Sequence, residues 1–193
     1  MDAPLRRFLD ELYRLGQRND ASATVRVEKM LNITPDTGEL LRMLVMAGGH
    51  RRVLELGTSN GYSTLWLADA SKTINGRVIT LEHQPRKCEM ALENIRQAGL
   101  EGWIDSRLTD IGQALPTLRD FDLVFLDSER VDYPDWWPGL QRSVRPGGLM
   151  VVDNATSHEE EMAPFVAAVE QTPGFTSVLL RIGNGELLIL REP

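Results

Sequence analysis

The chain has 193 residues, 42% of them hydrophobic and 25% charged, which suits one water-soluble domain with a sizeable core and excludes a fibrous or disordered chain. A formal net charge of −7 without any block of Lys or Arg disfavours nucleic acid as a partner. No run approaches the ~18 apolar residues of a membrane span, and the N-terminus leads into no signal-like stretch, so a soluble, cytoplasmic protein with no membrane partner is expected.

Leu5, Phe8, Leu9, Leu12 and Leu15 recur at helical spacing, and Gly16 is expected to close that helix. A second helix is predicted from Pro35 to about Ala47, capped by Thr34 and stopped by Gly48 and Gly49. These helices, within residues 1–48, are expected to form a lid against the ligand edge of a core spanning 49–193, the whole making a single domain. From Arg51 the pattern alternates: strand to Leu56, helix about Gly61 to Ala70, strand Val78 to Leu81, helix Pro85 to Ala98, and a weaker strand Ile104 to Leu108. A short helix near Gln113 follows, then strand Phe121 to Leu126, helix about Trp136 to Val144, strand Leu149 to Val152 and helix Glu159 to Gln171. Such alternation implies right-handed crossovers and a parallel sheet covered on both faces. Phe175 to Ile182 and Glu186 to Leu190, joined by Gly183-Asn184-Gly185, read as an antiparallel hairpin that finishes the sheet. Cys88 has no disulfide partner and reads as a small half-buried side chain, and His50, His83 and His158 have no zinc-ligand spacing.

Four apolar runs end on an acidic residue: Glu55, Glu82, Asp127 and Asp153. In a parallel α/β sheet the carboxyl ends of the strands form the ligand rim, so this rim is acidic. Acidity there favours a cationic ligand or a metal ion and repels a pyrophosphate. The loop from Glu55 to Ser63 holds only two glycines, Gly57 and Gly61, where a dinucleotide site would show Gly-x-Gly-x-x-Gly. Glu82 ends the second strand with two acceptor oxygens suited to a ribose diol. Either glutamate alone also reads as a turn cap; together they point to a nucleoside cofactor without phosphates.

Leu54-Glu55-Leu56-Gly57 with Gly61-Tyr62-Ser63, then Leu81-Glu82, Phe121 to Asp127, Arg145-Pro146-Gly147-Gly148 and Asp153-Asn154 resemble the S-adenosylmethionine-dependent O-methyltransferases of the catechol and caffeoyl-coenzyme A type. Ile33 to Leu41 also resembles that family's entry helix, so the likeness covers about Ile33 to the C-terminus. It implies a doubly wound, seven-stranded, mostly parallel sheet of order 3-2-1-4-5-7-6. It further implies an S-adenosylmethionine site in which Gly57, Thr58 and Ser63 hold the methionine end, Glu82 holds the ribose, and His83, Asp110 and Ile111 line the adenine. Ile33 and Thr34 approach the cofactor from the entry helix, while Glu55 and Asp127 supply a field that compensates its positive charge. Relatives of this type are often dimers, and a homodimer is the matching expectation, although no interface pattern in the sequence carries it.

Asp127, Asp153 and Asn154 form an all-oxygen set that suits Mg²⁺, with Mn²⁺ or Ca²⁺ as substitutes. In the resembling family these positions hold a divalent ion that chelates two adjacent hydroxyls of the acceptor; the other reading is a turn closed by Asp153 and Asn154. Asp127 and Arg130 are the candidate catalytic residues, acting on a small hydroxylated, catechol-like acceptor. Arg130 departs from the family, which carries a lysine there: arginine stays protonated, so it can steady a phenolate or anchor a carboxylate but cannot take a proton. Proton removal then falls to metal-bound hydroxide, solvent or His158, which reads more simply as a surface residue at a helix start. The segment after Asn154 also lacks the Gly-x-Val that shapes the family's acceptor pocket. Tyr133, Trp136 and Trp137 read either as core or as a wall against a planar acceptor. The competing readings are a cofactor-binding module, a metal-independent methyltransferase, a nitrogen methyltransferase lacking the usual Asn/Asp-Pro-Pro-aromatic signature, and a nicotinamide oxidoreductase opposed by the missing third glycine.

Overall fold

The computed structural model describes residues 1–193. Helix α1 runs Ala3–Ser22, with the Asp2 side chain accepting a hydrogen bond from the Leu5 amide and Pro4 in the first turn. Gly16 does not close it, contrary to expectation. It lies on the buried stripe with Leu5, Leu9 and Leu12, where a Cβ would stand 2.4 Å from Asn32 Nδ2, so it serves a close approach. Helix α2 covers Pro35–Gly48; Thr34 caps it, and Gly49 turns the chain out at φ 62°.

The α/β elements follow in order: β1 Arg52–Leu56, α3 Tyr62–Thr73, β2 Arg77–Glu82, α4 Pro85–Ala98, β3 Ile104–Leu108, α5 Ile111–Ala114, β4 Phe121–Leu126, α6 Tyr133–Ser143, β5 Val144–Val152, α7 Glu159–Glu170, β6 Phe175–Leu180 and β7 Glu186–Arg191. Among the boundaries that differ from expectation, α3 runs on to Thr73 and β6 stops at Leu180, and two others have a clear local cause. Pro134 suits a first turn, and α6 therefore starts at Tyr133 rather than Trp136. β5 starts five residues before Leu149 because Val144 already pairs with Phe121; the Arg145-Pro146-Gly147-Gly148 stretch is then absorbed as an irregularity before Leu149 meets Leu123.

The seven strands lie in the order β3-β2-β1-β4-β5-β7-β6, parallel except that β7 runs antiparallel to both β5 and β6. Alternate residues of each central strand enter different cores. Val53, Leu123, Phe125 and Val151 pack under α1 to α4, whereas Leu54, Val124, Leu126 and Val152 pack under α5 to α7. The chain steps outward from β1 in one direction and returns beside it as β4, so the crevice at the carboxyl ends of β1 and β4 is the topological switch point. No helix is long and apolar enough to cross a membrane.

Candidate functional site

The loop after β1 is built on backbone that favours glycine. Gly57 takes φ 109° and Gly61 takes φ 84° at the start of α3. The Gly57 and Thr58 amides both donate to the Leu81 carbonyl, which ties the loop to β2. On its other side Gly57 lies against the next rim loop, so closely that a Cβ there would stand 1.9 Å from the Asp127 carbonyl oxygen. Beside this contact opens a cavity of about 360 Å³, walled by Gly57, Ser59, Glu82, Asp127, Arg130 and Asp153 among others.

Glu82 ends β2 with its carboxylate already engaged. One oxygen accepts from the Ser59 amide at 2.9 Å and the other from the His83 and Gln84 amides at 3.0 and 2.8 Å. A carboxylate offers about four acceptor positions, so one stays free, and receiving both hydroxyls of a diol requires one amide to yield. Of the other residues that the sequence assigns to the cofactor, Ile33, Thr58, Ser63, His83 and Ile111 line the cavity. Thr34 and Asp110 do not: Thr34 caps α2, and Asp110 caps α5 by accepting from the Gln113 amide.

Glu55 lies behind the loop rather than on the cavity wall. It is fully buried and accepts hydrogen bonds from the hydroxyls of Ser63, Thr64 and Thr80. Burial, partly offset by those hydroxyls, raises its pKa to about 7, so near neutrality it carries only part of a charge. Below pH 4.5 the group is protonated in both folded and unfolded chains; as pH climbs, the unfolded chain ionises first and the folded state loses stability until about pH 7. That loss amounts to roughly 3 kcal/mol. Glu55→Gln is therefore expected to flatten this part of the stability curve, and urea unfolding at pH 4.5, 6 and 8 measures it; equal slopes in variant and wild type would contradict the assignment.

On the opposite wall, Asp127 and Asp153 follow the ends of β4 and β5, adjacent strands whose register brings their carboxyl ends together. The Asn154 amide nitrogen donates to both carboxylates, at 3.3 Å to Asp127 and 2.8 Å to Asp153, from a residue held at φ 68°. Burial, followed by the charges of Asp153 and Glu55, pushes the Asp127 carboxyl well above its ordinary range. Burial likewise raises Asp153. No three His, Cys, Asp or Glu side chains converge as a ready metal cage. The donors nevertheless fit a hard cation: two carboxylates that repel each other, an unpartnered buried Asp153 Oδ1, and an amide whose oxygen would replace its nitrogen on turning over.

Two residues here escaped the sequence reading. Glu186 opens β7 fully buried, accepts from the Thr37 hydroxyl at 2.8 Å, and stands near Asp153 with its own Oε2 unpartnered. Burial and the Asp153 charge push it up to about 9, so it keeps its proton near neutrality. Asp20, on the part of α1 beyond Gly16, accepts from the Met30 and Leu31 amides, and the Ser59 hydroxyl donates to the Met30 carbonyl. Together they hold the Met30-Leu31 segment over the cavity. Neither Glu186 nor Asp20 offered a sequence signal that set it apart from a solvated acid. Tyr133 and Trp137 belong to the core, the first hydrogen-bonded to the Ser128 backbone and the second packed on Phe165 and Phe175. Neither they nor half-buried Trp136 lines the cavity. His158 does, with its Nδ1 bonded to the Ser157 hydroxyl.

Residues 6–190 match the family described as O-methyltransferase, and the chain belongs to that family. It is 36% identical over 129 residues to a catechol O-methyltransferase of Niastella koreensis, covering 64% of this chain and 58% of that protein. It is 39% identical over 127 residues to a catechol O-methyltransferase of Mycobacterium tuberculosis, covering 63% and 56%. The chain thus spans less than two thirds of the length of these curated relatives. Among solved structures, the O-methyltransferase TomG from Streptomyces achromogenes, in complex with SAM, superposes with a TM-score of 0.80 at 25% identity over 100% of this chain and 91% of that one.

Proposed function

We propose that this protein transfers a methyl group from S-adenosylmethionine to a hydroxyl of a small, catechol-like aromatic acceptor, with a divalent cation held by Asp127, Asp153 and Asn154. The observation that carries the reading is a single cavity at the switch point whose walls join a glycine turn, Glu82 and the Asp127–Asp153 pair. Family membership, the printed names of the two relatives and the SAM complex of TomG support the same reading.

In this reading Gly57 lets the donor approach the backbone, and Glu82 receives the ribose through its free acceptor position. The partly ionised Glu55 becomes fully charged opposite a sulfonium, and Asp127 faces it from the other wall. Asp127, Asp153 and Asn154 would hold a hard cation, which when bound would supply Lewis acidity toward the acceptor hydroxyl. The methyl carbon breaks its bond to sulfur as it forms one to oxygen, and the acceptor's proton leaves to solvent or to His158, since Arg130 cannot take it.

A second reading is methyl transfer without a metal. It rests on Arg130, a buried cation whose charge acts on both Asp127 and Asp153. Calorimetric titration with S-adenosylmethionine and with NAD tests the donor; tighter NAD binding would overturn both readings. Methylation of 3,4-dihydroxybenzoate before and after EDTA treatment separates them, with a fall of at least ~100-fold on chelation expected for the first.

A further inference from the structure

Arg130 is an unusual wall for a cavity that is otherwise acidic. It sits in the short 3-10 turn Arg130–Asp132, is only 6% exposed, and points its guanidinium at the first turn of α7. There its Nε donates to Glu161 Oε2 at 2.9 Å. Neither terminal nitrogen makes a hydrogen bond, and neither is sealed from solvent as an orphaned buried atom. The half of the guanidinium that forms a two-pronged fork is therefore free, beside the aspartate pair. Arg26, from the 3-10 turn Arg26–Glu28, lines the same cavity with no hydrogen bond or ion pair on its side chain. Both arginines and His158 act electrostatically on Glu161, so they gather at one end of the cavity.

We infer that the acceptor is a hydroxylated aromatic carboxylate, its hydroxyls at Asp127 and Asp153 and its carboxylate on the free fork of Arg130, with Arg26 closing over it. The inference rests on the O-methyl transfer reading and adds the acceptor's charge to it. A planar fork matches a carboxylate with two parallel hydrogen bonds, which a lysine in that position could not supply. A dianionic phosphate suits the place less, because Asp127, Asp153 and Glu161 all stand near and repel the second charge. Glu161 fixes the guanidinium through Nε and leaves the fork open. A neutral acceptor would leave that fork unpaired as the ligand excludes water from it.

The test compares 3,4-dihydroxybenzoate with 3,4-dihydroxybenzamide, which share ring and hydroxyls and differ in charge. In the wild-type protein kcat/KM for the acid is expected to exceed that for the amide about 30-fold, mostly through KM. Arg130→Gln should bring that ratio close to unity. Arg26→Gln, at an exposed position where folding is not at stake, should lower it about threefold. Equal efficiency for acid and amide in the wild type, or an unchanged ratio in either variant, overturns the inference. Calorimetric binding of the same pair to protein loaded with S-adenosylhomocysteine keeps the two readings apart. Acid bound about 30-fold tighter than amide with neither methylated would sink the transfer reading and leave only the carboxylate contact of Arg130 standing; both methylated equally well would uphold the transfer reading and overturn this inference.

Discussion

Gly57→Ala is expected to lose about 3–5 kcal/mol of stability and to abolish measurable S-adenosylmethionine binding together. Two independent penalties meet at this residue. Its φ of 109° is open to glycine and strained for alanine, and the added methyl would lie 1.9 Å from the Asp127 carbonyl oxygen. Backbone must move to relieve that overlap. The loops after β1 and β4 would separate, carrying the Gly57 turn away from Asp127, and the cavity between them would lose its shape. A melting temperature lowered by roughly 10 °C is the corresponding reading for a chain of this size. Melting curves and calorimetry on the same sample check both effects. Stability within 1 kcal/mol of the wild type would mean that the loops yield easily and that their close approach does not shape the site.

Asp127→Asn is expected to reduce methyl transfer about 1,000-fold while making the protein more stable. The two effects have one origin. Burial raises all three of the buried acids Asp127, Asp153 and Glu186, and the Asp153 charge raises Asp127 and Glu186 further. Replacing one carboxylate by an amide of the same shape relieves this crowding, worth about 1 kcal/mol, or a few degrees in melting temperature. The same substitution removes the charge that would hold a cation and face a sulfonium. Activity assays with excess Mg²⁺ alongside melting curves test the pair. A variant that is both less active and less stable would show that Asp127 serves the fold first.

The strand pattern was open to reading because apolar runs of four to six residues recur between helical stretches and each ends on an acid. That pattern alone sets Glu82, Asp127 and Asp153 on one rim. The direction of a side chain was harder. Glu55 shares β1 with Leu54 and Leu56, which face the α5 to α7 side, so strand alternation turns it toward α3, where Ser63 and Thr64 wait. An acidic rim in sequence thus becomes three acids on the wall and one behind it. Glu186 was invisible for a different reason. It follows a turn, where an acid usually means solvent, and only the pairing of β7 with β5 brings it beside Asp153. Asp20 was hidden by Gly16, whose missing side chain signals a stop in sequence and serves Asn32 in three dimensions. The aromatic residues after Arg130 could pack or bind, and packing prevailed once Pro134 started α6 early enough to turn Tyr133 and Trp137 inward.

The position of β7 between β5 and β6 bears on how the molecule is made. As the chain leaves the ribosome, β6 emerges with no neighbour to receive it, because the strand it must pair with has yet to be translated. Until β7 threads into place, β5 keeps a bare edge and Asp153 lacks its acidic companion. Completion of the Asp153 wall therefore waits for β7, and a nascent polypeptide halted before Glu186 would hold the Gly57 and Glu82 side of the cavity with the Asp153 side unfinished.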